Sequence, residues 1–302
     1  MIHIQRHYDF FKRQMKNKLN LLDKTAITLT QDEEERLSHC VQEQIKGLTL
    51  SNPLSIKNVS TFKKSFYSFD LISCLLYSSG KPLFQYEFGD VRLVPEEPTL
   101  VKSRPITDNN WNSVMLPLEM SRHFDFIQDD IAFETKNNKI CWRGACHQPW
   151  REKFLSQVAN KPFCDIADTA PQHNVDGSPK NNKNYLSRQQ QLKNKFIFSI
   201  EGNDVASNLK WAMNSNSVVM MTKPKFETWF CESRLIPDQH FILIKDDYSD
   251  VEERFEYYSA RPKLTLEIIQ NAHEYVRPFE DLERQYKLGA MVLERYASLV
   301  SC

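Results

Sequence analysis

Glycine is scarce in this chain: 7 in 302 residues, about 2% where soluble proteins average about 7%. Neither G-x-G-x-x-G nor G-x-x-x-x-G-K-[ST] occurs, which excludes the glycine loops of dinucleotide-binding enzymes and the P-loop of nucleoside triphosphatases. Cysteines at zinc spacing are absent too. The seven (Cys40, Cys74, Cys141, Cys146, Cys164, Cys231, Cys302) contain no C-x-x-C, and scattered thiols in odd number read as reduced and cytosolic. There is no H-E-x-x-H, and His3 and His7, at i, i+4 near the start, read as solvated rings rather than metal ligands. Charge of one sign is not in excess: Lys+Arg 39 against Asp+Glu 39 leaves no global nucleic-acid footprint. No apolar run approaches the roughly 20 residues that cross a bilayer. Residues 1–25 are polar and basic, without the apolar segment of a signal peptide, so a soluble, cytoplasmic protein is expected.

What is present is ordinary for a globular protein with a real core: 41% hydrophobic and 26% charged residues. The length suggests two domains. Residues 5–22 set Phe10, Phe11, Met15, Leu19 and Leu22 against Arg6, Lys12, Arg13, Lys16 and Lys18, an amphipathic basic helix. Such a helix either packs on its own domain or lies on an anionic membrane surface. Thr30 or Gln31 caps a second helix opened by Asp32-Glu33-Glu34-Glu35. Strands are expected at Leu83–Phe88, Thr99–Lys102 and Lys139–Arg143, with a helix or loop over 109–122. Residues 172–188 have the composition of a long surface loop. Beyond them, strands at 195–200, 217–221 and 241–244 alternate with helices at 203–213, 228–232 and 250–258, and two longer helices follow at 264–277 and 279–300. That alternation predicts an α/β fold with a parallel sheet, whose ligands sit at the carboxyl ends of the strands.

Two constellations carry chemistry. Cys141-Trp142-Arg143-Gly144 delivers an arginine at a strand end, where its guanidinium either forks onto a phosphate or makes a structural ion pair. Gly202 then lets the phosphate-seeking turn Glu201–Asn208 lead into a helix whose first N–H groups attract anions, with Ser207, Asn208 and Lys210 as side-chain donors. The alternative is an Asn/Asp cap with a solvated lysine. No Asp-x-Asp occurs, so a phosphate leaving group would be stabilised by arginine, lysine and helix dipole rather than by a metal.

These blocks (WRGA, KFIFSIEGNDVASNLKWAMNSNSVVMM and PKFETWFCESRLIPDQHFILIKDDYSD, preceded by FGDVRLVPEEPTLVKSRPI, NNWNSVMLPLE and RHFDFIQDD) resemble glycosyltransferase family 90, closest to its bacterial lipopolysaccharide (LpsA-type) branch; CAP10-like and protein O-glucosyltransferases are other branches. The resemblance spans roughly 84–260. It implies a GT-B fold, two Rossmann-like lobes with the site in the cleft between them, divided as an acceptor lobe (1–135), a donor lobe (136–265) and helices crossing back (266–302). It implies an inverting, metal-independent transferase without cofactor, moving a hexose from a UDP-sugar to a lipopolysaccharide inner-core or related surface glycan. Arg143, Gly144, Gly202, Ser207 and Asn208 match the donor-binding positions. Some relatives carry arginine where this chain has Asn208, so Lys210 is a candidate to supply the charge. Glu227, Trp229 and Glu232 fall in a donor-lobe block suited to ribose or sugar hydroxyls. Asp90 matches the catalytic base, with Asp125 and Asp129 as fallbacks; its other role is a turn aspartate. Arg122 and His123, with the basic N-terminal helix, are candidates to meet acceptor phosphates or the membrane. The rival readings are a non-catalytic nucleotide- or glycan-binding protein on the same fold and a sulfotransferase, although residues 1–60 lack the Ser/Thr-rich loop the latter needs.

Overall fold

The computed structural model describes residues 27–55, 65–80, 82–170 and 184–301; the basic stretch at 5–22 and most of the 172–188 stretch lie outside them. The strands, in chain order, are β1 (Tyr86–Glu87), β2 (Thr99–Val101), β3 (Ser103–Pro105), β4 (Ser113–Met115), β5 (Asn137–Gly144), β6 (Cys164–Asp168), β7 (Asn194–Phe198), β8 (Val218–Met221), β9 (Phe226–Thr228) and β10 (Ile242–Leu243). They fall into two compact units. Unit 1 is Met1–Asp125, Lys225–Ser233 and Phe279–Cys302; unit 2 is Phe126–Pro224 and Arg234–Pro278. Neither unit follows the expected boundaries at 135 and 265, because 225–233 and the last helix both belong to unit 1.

Unit 1 pairs β1, β2 and β4 in a parallel sheet and β3 with β9 antiparallel. Its Gln31–Cys40 helix starts where Thr30 and Glu33 form a reciprocal capping box, as the Thr-x-x-Glu spacing foretells. The Phe66–Tyr77 helix is capped by Ser65, and the Leu282–Leu299 helix by the Asp281 carboxylate, which accepts from the Arg284 N–H. Between the last two helices Gly289 leaves room for a close approach: a Cβ there would stand 2.6 Å from Cys74 Sγ and 2.8 Å from Pro117 Cγ. Residues 113–115 are a buried strand, so the helix considered over 109–122 reduces to its last turn, Met120–His123. The apolar pair Val114-Met115 is too short to declare a period and is claimed by the sheet.

Unit 2 is a five-stranded parallel sheet in the order β10-β8-β7-β5-β6. One face sends Ile140 and Trp142 (β5), Phe196 and Phe198 (β7), Val218 and Met220 (β8) and Ile242 (β10) into one core with Phe154, Val251, Phe255, Ile268 and Ile269 of the helices. Cys141, Ile197, Val219 and Met221, on the other face, are buried as well. Burial on both faces is why these strands read as continuous apolar runs. The edge strand β6 (CDIAD) was not foreseen: its two aspartates and half-buried positions give no apolar run. The helix expected over 203–213 is only Leu209–Met213. Residues 203–208 turn instead, because the Asn208 side chain donates to Phe198 O (2.8 Å) and the Gly202 N–H to Asp204 O (2.9 Å), tucking Val205 and Ala206 inside. The helix expected over 228–232 is replaced by β9 and a tight turn at Cys231, whose φ of 54° is left-handed.

Candidate functional site

In unit 2 the chain leaves β5 for β6 on one side and resumes at β7 on the other. At such a reversal the loops after the two central strands diverge and leave a crevice at their carboxyl ends, where open α/β sheets bind ligands. The loops concerned are 144–148 after β5, of which the sequence singled out only Gly144, and 199–208 after β7, which it singled out as a whole. Both are stapled by Arg151, in the first turn of the Pro149–Val158 helix. Its Nε donates to Glu201 O (2.9 Å), Nη1 to Ala145 O (3.0 Å) and Nη2 to Ile200 O (2.6 Å), and the guanidinium lies 5.5 Å above the Trp142 ring. Beside it the indole of Trp150, 37% exposed, donates to Glu201 O (3.0 Å). Gln148 donates to Asn203 Oδ1 (3.1 Å), while its own Oε1 is buried and accepts no hydrogen bond. An acceptor so placed suits a ligand hydroxyl. Gln148, Trp150 and Arg151 were missed in the sequence; their signal is position alone, four to seven residues beyond Gly144.

The expected donor residues are placed unequally. Gly144 and Gly202 line these loops. A Cβ at Gly144 would meet the Trp142 ring at 2.4 Å, so here glycine serves the packing of the strand's own tryptophan as well as access; at Gly202 the Arg151 Nη2 would be 3.4 Å away. Ser207 is half-buried in the turn. Arg143 turns to β6: Nη2 bonds Asp165 Oδ1 (2.6 Å), Nη1 donates to Asp165 O (2.6 Å) and Nε to Asn184 O (2.6 Å). Asn208 is engaged with Phe198 O, and Lys210 is wholly buried, so neither presents its side chain to solvent as a donor of charge. Glu227 belongs to unit 1, whereas the expected donor residues from Arg143 to Lys210 belong to unit 2. There it is buried on β9 opposite Arg104 of β3, bonded to Arg104 Nε (2.8 Å), His39 Nε2 (2.8 Å) and Ser233 Oγ. Burial pushes its carboxyl up, but the His39 hydrogen bond and the Arg104 and His39 charges prevail and bring it to about 2. Trp229 donates to Gln285 Oε1 (2.9 Å), and Glu232 accepts from the Thr228 N–H (2.6 Å); both are structural bonds within unit 1.

Unit 1 gathers a second constellation around Asp90. Gly89 reaches a φ of 113°, a turn that glycine adopts without strain. The turn sets the Asp90 carboxylate 2.6 Å from Lys102 Nζ, whose side chain is only 2% exposed while that of Asp90 is 30% exposed. On the other side of Lys102, Glu119 Oε2 stands at 3.6 Å. Glu119 also accepts from Tyr67 OH (2.9 Å), pairs with Arg122 (3.3 Å) and faces His123 Nε2 (3.6 Å). Burial raises its carboxyl, yet the nearby His123 ring and the Lys102 and Arg122 charges bring it down to about 2. Its backbone is left-handed (φ 58°, ψ 38°), a conformation worth roughly 1–3 kcal/mol of strain in a residue with a Cβ. The next N–H, of Met120, is held by Asp70 Oδ2 (2.9 Å), and Asp70 is in turn bonded by Tyr286 OH. Phe88, stacked on Tyr67 at 5.3 Å and tilted on Tyr86 at 4.2 Å, forms an aromatic wall two residues before Asp90.

Of the other expected residues here, Arg122 is exposed and paired with Glu119, whereas His123 is buried and faces inward. The fallback Asp129, in unit 2, is 2% exposed and fully used: it bonds Lys136 Nζ (2.7 Å), the Asn216 N–H (2.8 Å) and the Ile131 N–H (3.1 Å). An aspartate so neutralised and enclosed is a brace rather than a base. Asp125, half-buried, ends unit 1's first segment. Among the described residues no three of His, Cys, Asp and Glu converge as metal ligands, and no helix is long and apolar enough to cross a membrane.

Comparison with known proteins accords with this picture. Residues 110–302 match the family model described as glycosyl transferase family 90. The "O-glucosyltransferase LpsA" of Dichelobacter nodosus is 38% identical over 238 residues, 79% of this chain and 74% of that protein.

Proposed function

Since this chain belongs to glycosyltransferase family 90 and is therefore a transferase, we propose that it is of GT-B type and moves glucose from UDP-glucose to a hydroxyl of a lipopolysaccharide inner-core or related surface glycan, with inversion. The choice of glucose follows the name of the Dichelobacter relative. The observation that carries the reading is the switch point of unit 2, where the loops 144–148 and 199–208 both end central strands of the parallel sheet. In the proposed reaction Asp90 accepts the proton of the acceptor hydroxyl as its oxygen attacks the anomeric carbon. The bond from that carbon to the diphosphate breaks and its electron pair leaves with UDP. The leaving charge is met by main-chain N–H groups of the two loops and by Arg143, without a metal. To meet the diphosphate, Arg143, whose side chain is 10% exposed, exchanges the Asp165 carboxylate and the Asp165 and Asn184 carbonyls for phosphate oxygens. Gln148 Oε1 and Trp150 are suited to a sugar or ribose hydroxyl and an apolar ring face.

Calorimetric titration with UDP tests this. Binding that persists in EDTA and weakens at least tenfold in Arg143→Ala is the expected result. Binding unaffected by the substitution makes Arg143 only a brace between β5 and β6, and no binding of UDP contradicts the nucleotide-donor reading altogether. The basic stretch 5–22 is proposed to bring the protein to the anionic cytoplasmic membrane face where such acceptors are built. Co-sedimentation with anionic vesicles at low salt, lost when Lys12, Arg13, Lys16 and Lys18 are neutralised, is expected; no co-sedimentation of the full chain contradicts it.

A further inference from the structure

Lys102 is an unusual neighbour for a general base. Its ammonium is 2% exposed, lies 2.6 Å from Asp90 and 3.6 Å from Glu119, and so is shared by two carboxylates of very different standing. Asp90 opens to solvent. Glu119 is enclosed, held in left-handed backbone, and tied by Tyr67, Arg122 and His123. The left-handed backbone of Glu119 sets its carboxylate among Lys102, Tyr67, Arg122 and His123. We propose that Lys102, also paired with Glu119, is a positioning residue that aims the Asp90 carboxylate and sets how readily it takes the acceptor's proton. The role rests on Asp90 being the base of the proposed transfer.

The physical logic follows from who faces whom. Asp90 feels the positive charges of Lys102 and Arg122 and the phenol of Tyr67; Glu119 acts on it as a like charge and as a competitor for Lys102. The Lys102 charge keeps Asp90 ionised and its carboxyl plane fixed before the acceptor arrives. In the transfer step one O–H bond of the acceptor breaks, its proton passes to the Asp90 carboxylate, and the acceptor oxygen closes the new bond to the anomeric carbon. Lys102 neither gains nor loses a proton. Glu119 withholds part of the lysine's charge, so that Asp90 keeps enough basicity for the task.

The test is carboxyl NMR of the full chain carrying ¹³C-labelled aspartate, with the Asp90 signal identified by its loss in Asp90→Asn. Lys102→Met is expected to raise the Asp90 titration midpoint by about one to three pH units. Lys102→Arg restores it, and Glu119→Gln, nearly isosteric, moves it the opposite way. The acid limb of the transfer rate with UDP-glucose follows the same order. A purely structural lysine would lower stability in Lys102→Met without producing opposed shifts in the two variants. A midpoint unmoved in both Lys102→Met and Glu119→Gln overturns the proposal; if Lys102→Met does not fold, the Glu119→Gln shift alone decides. Full transfer activity in Asp90→Asn would also overturn it, and would mark the failure as one of the base assignment rather than of the Lys102 coupling, which the NMR reads on its own.

Discussion

Glu227 is buried in unit 1, enclosed between the Arg104 guanidinium and the His39 ring. An unfolded glutamate titrates near 4.5, and the folded Glu227 near 2. A carboxylate depressed by folding contributes stability that is whole above pH 4.5 and is lost as pH falls toward 2. The shift corresponds to about 3 kcal/mol. Glu227→Gln is therefore expected to destabilise the protein by about 3–5 kcal/mol at pH 7, because it leaves Arg104 buried without a counter-charge. In urea titrations the gap between wild type and variant should narrow steadily from pH 5 to pH 2. A gap that does not change with pH would show that the carboxylate's charge contributes nothing. The role of this residue was not legible in the sequence: Glu227 sits in a block that resembles a donor site, and only the register of β9 against β3 puts it opposite Arg104. The turn that presents Asp90 was legible in Gly89-Asp90; its lysine partner, twelve positions on in β2's continuation, was not.

At the scale of elements, the close approach of the Leu282–Leu299 and Phe66–Tyr77 helices depends on Gly289. Alanine is the better helix former by about 1 kcal/mol, but its Cβ would collide with Cys74 and Pro117, and overpacking of that kind costs about 1–3 kcal/mol. Gly289→Ala should lower the melting temperature by several degrees. A rise would mean that the helices part without cost. Where an element declares itself by local rules, the sequence read it well: the cap at Thr30 and the apolar runs of β5, β7 and β8, buried on both faces. The errors arose where a distant partner overrode local preference. Residues 203–208 have the composition of a helix start, yet Asn208 spends its side chain on Phe198 O and delays the helix to Leu209. Residues 228–232 follow Pro224 and end in Glu232, yet β9 is drawn into antiparallel pairing by the buried Arg104–Glu227 contact.

For the whole molecule, the chain passes between its two units four times, at 125/126, 224/225, 233/234 and 278/279. A division into consecutive lobes at 135 and 265 does not express that interleaving; the mixed α/β class held. The interleaving places the proposed base, Asp90, in unit 1 and the proposed donor loops, 144–148 and 199–208, in unit 2. The two proposed roles can be separated experimentally. The most direct measurement is transfer from UDP-glucose to a truncated lipopolysaccharide core by wild type and Asp90→Asn, alongside UDP binding by both. The account predicts transfer with inversion by the wild type, a loss of about 10²–10⁴-fold in the variant, and unchanged affinity for UDP. Transfer by Asp90→Asn at the wild-type rate would contradict it.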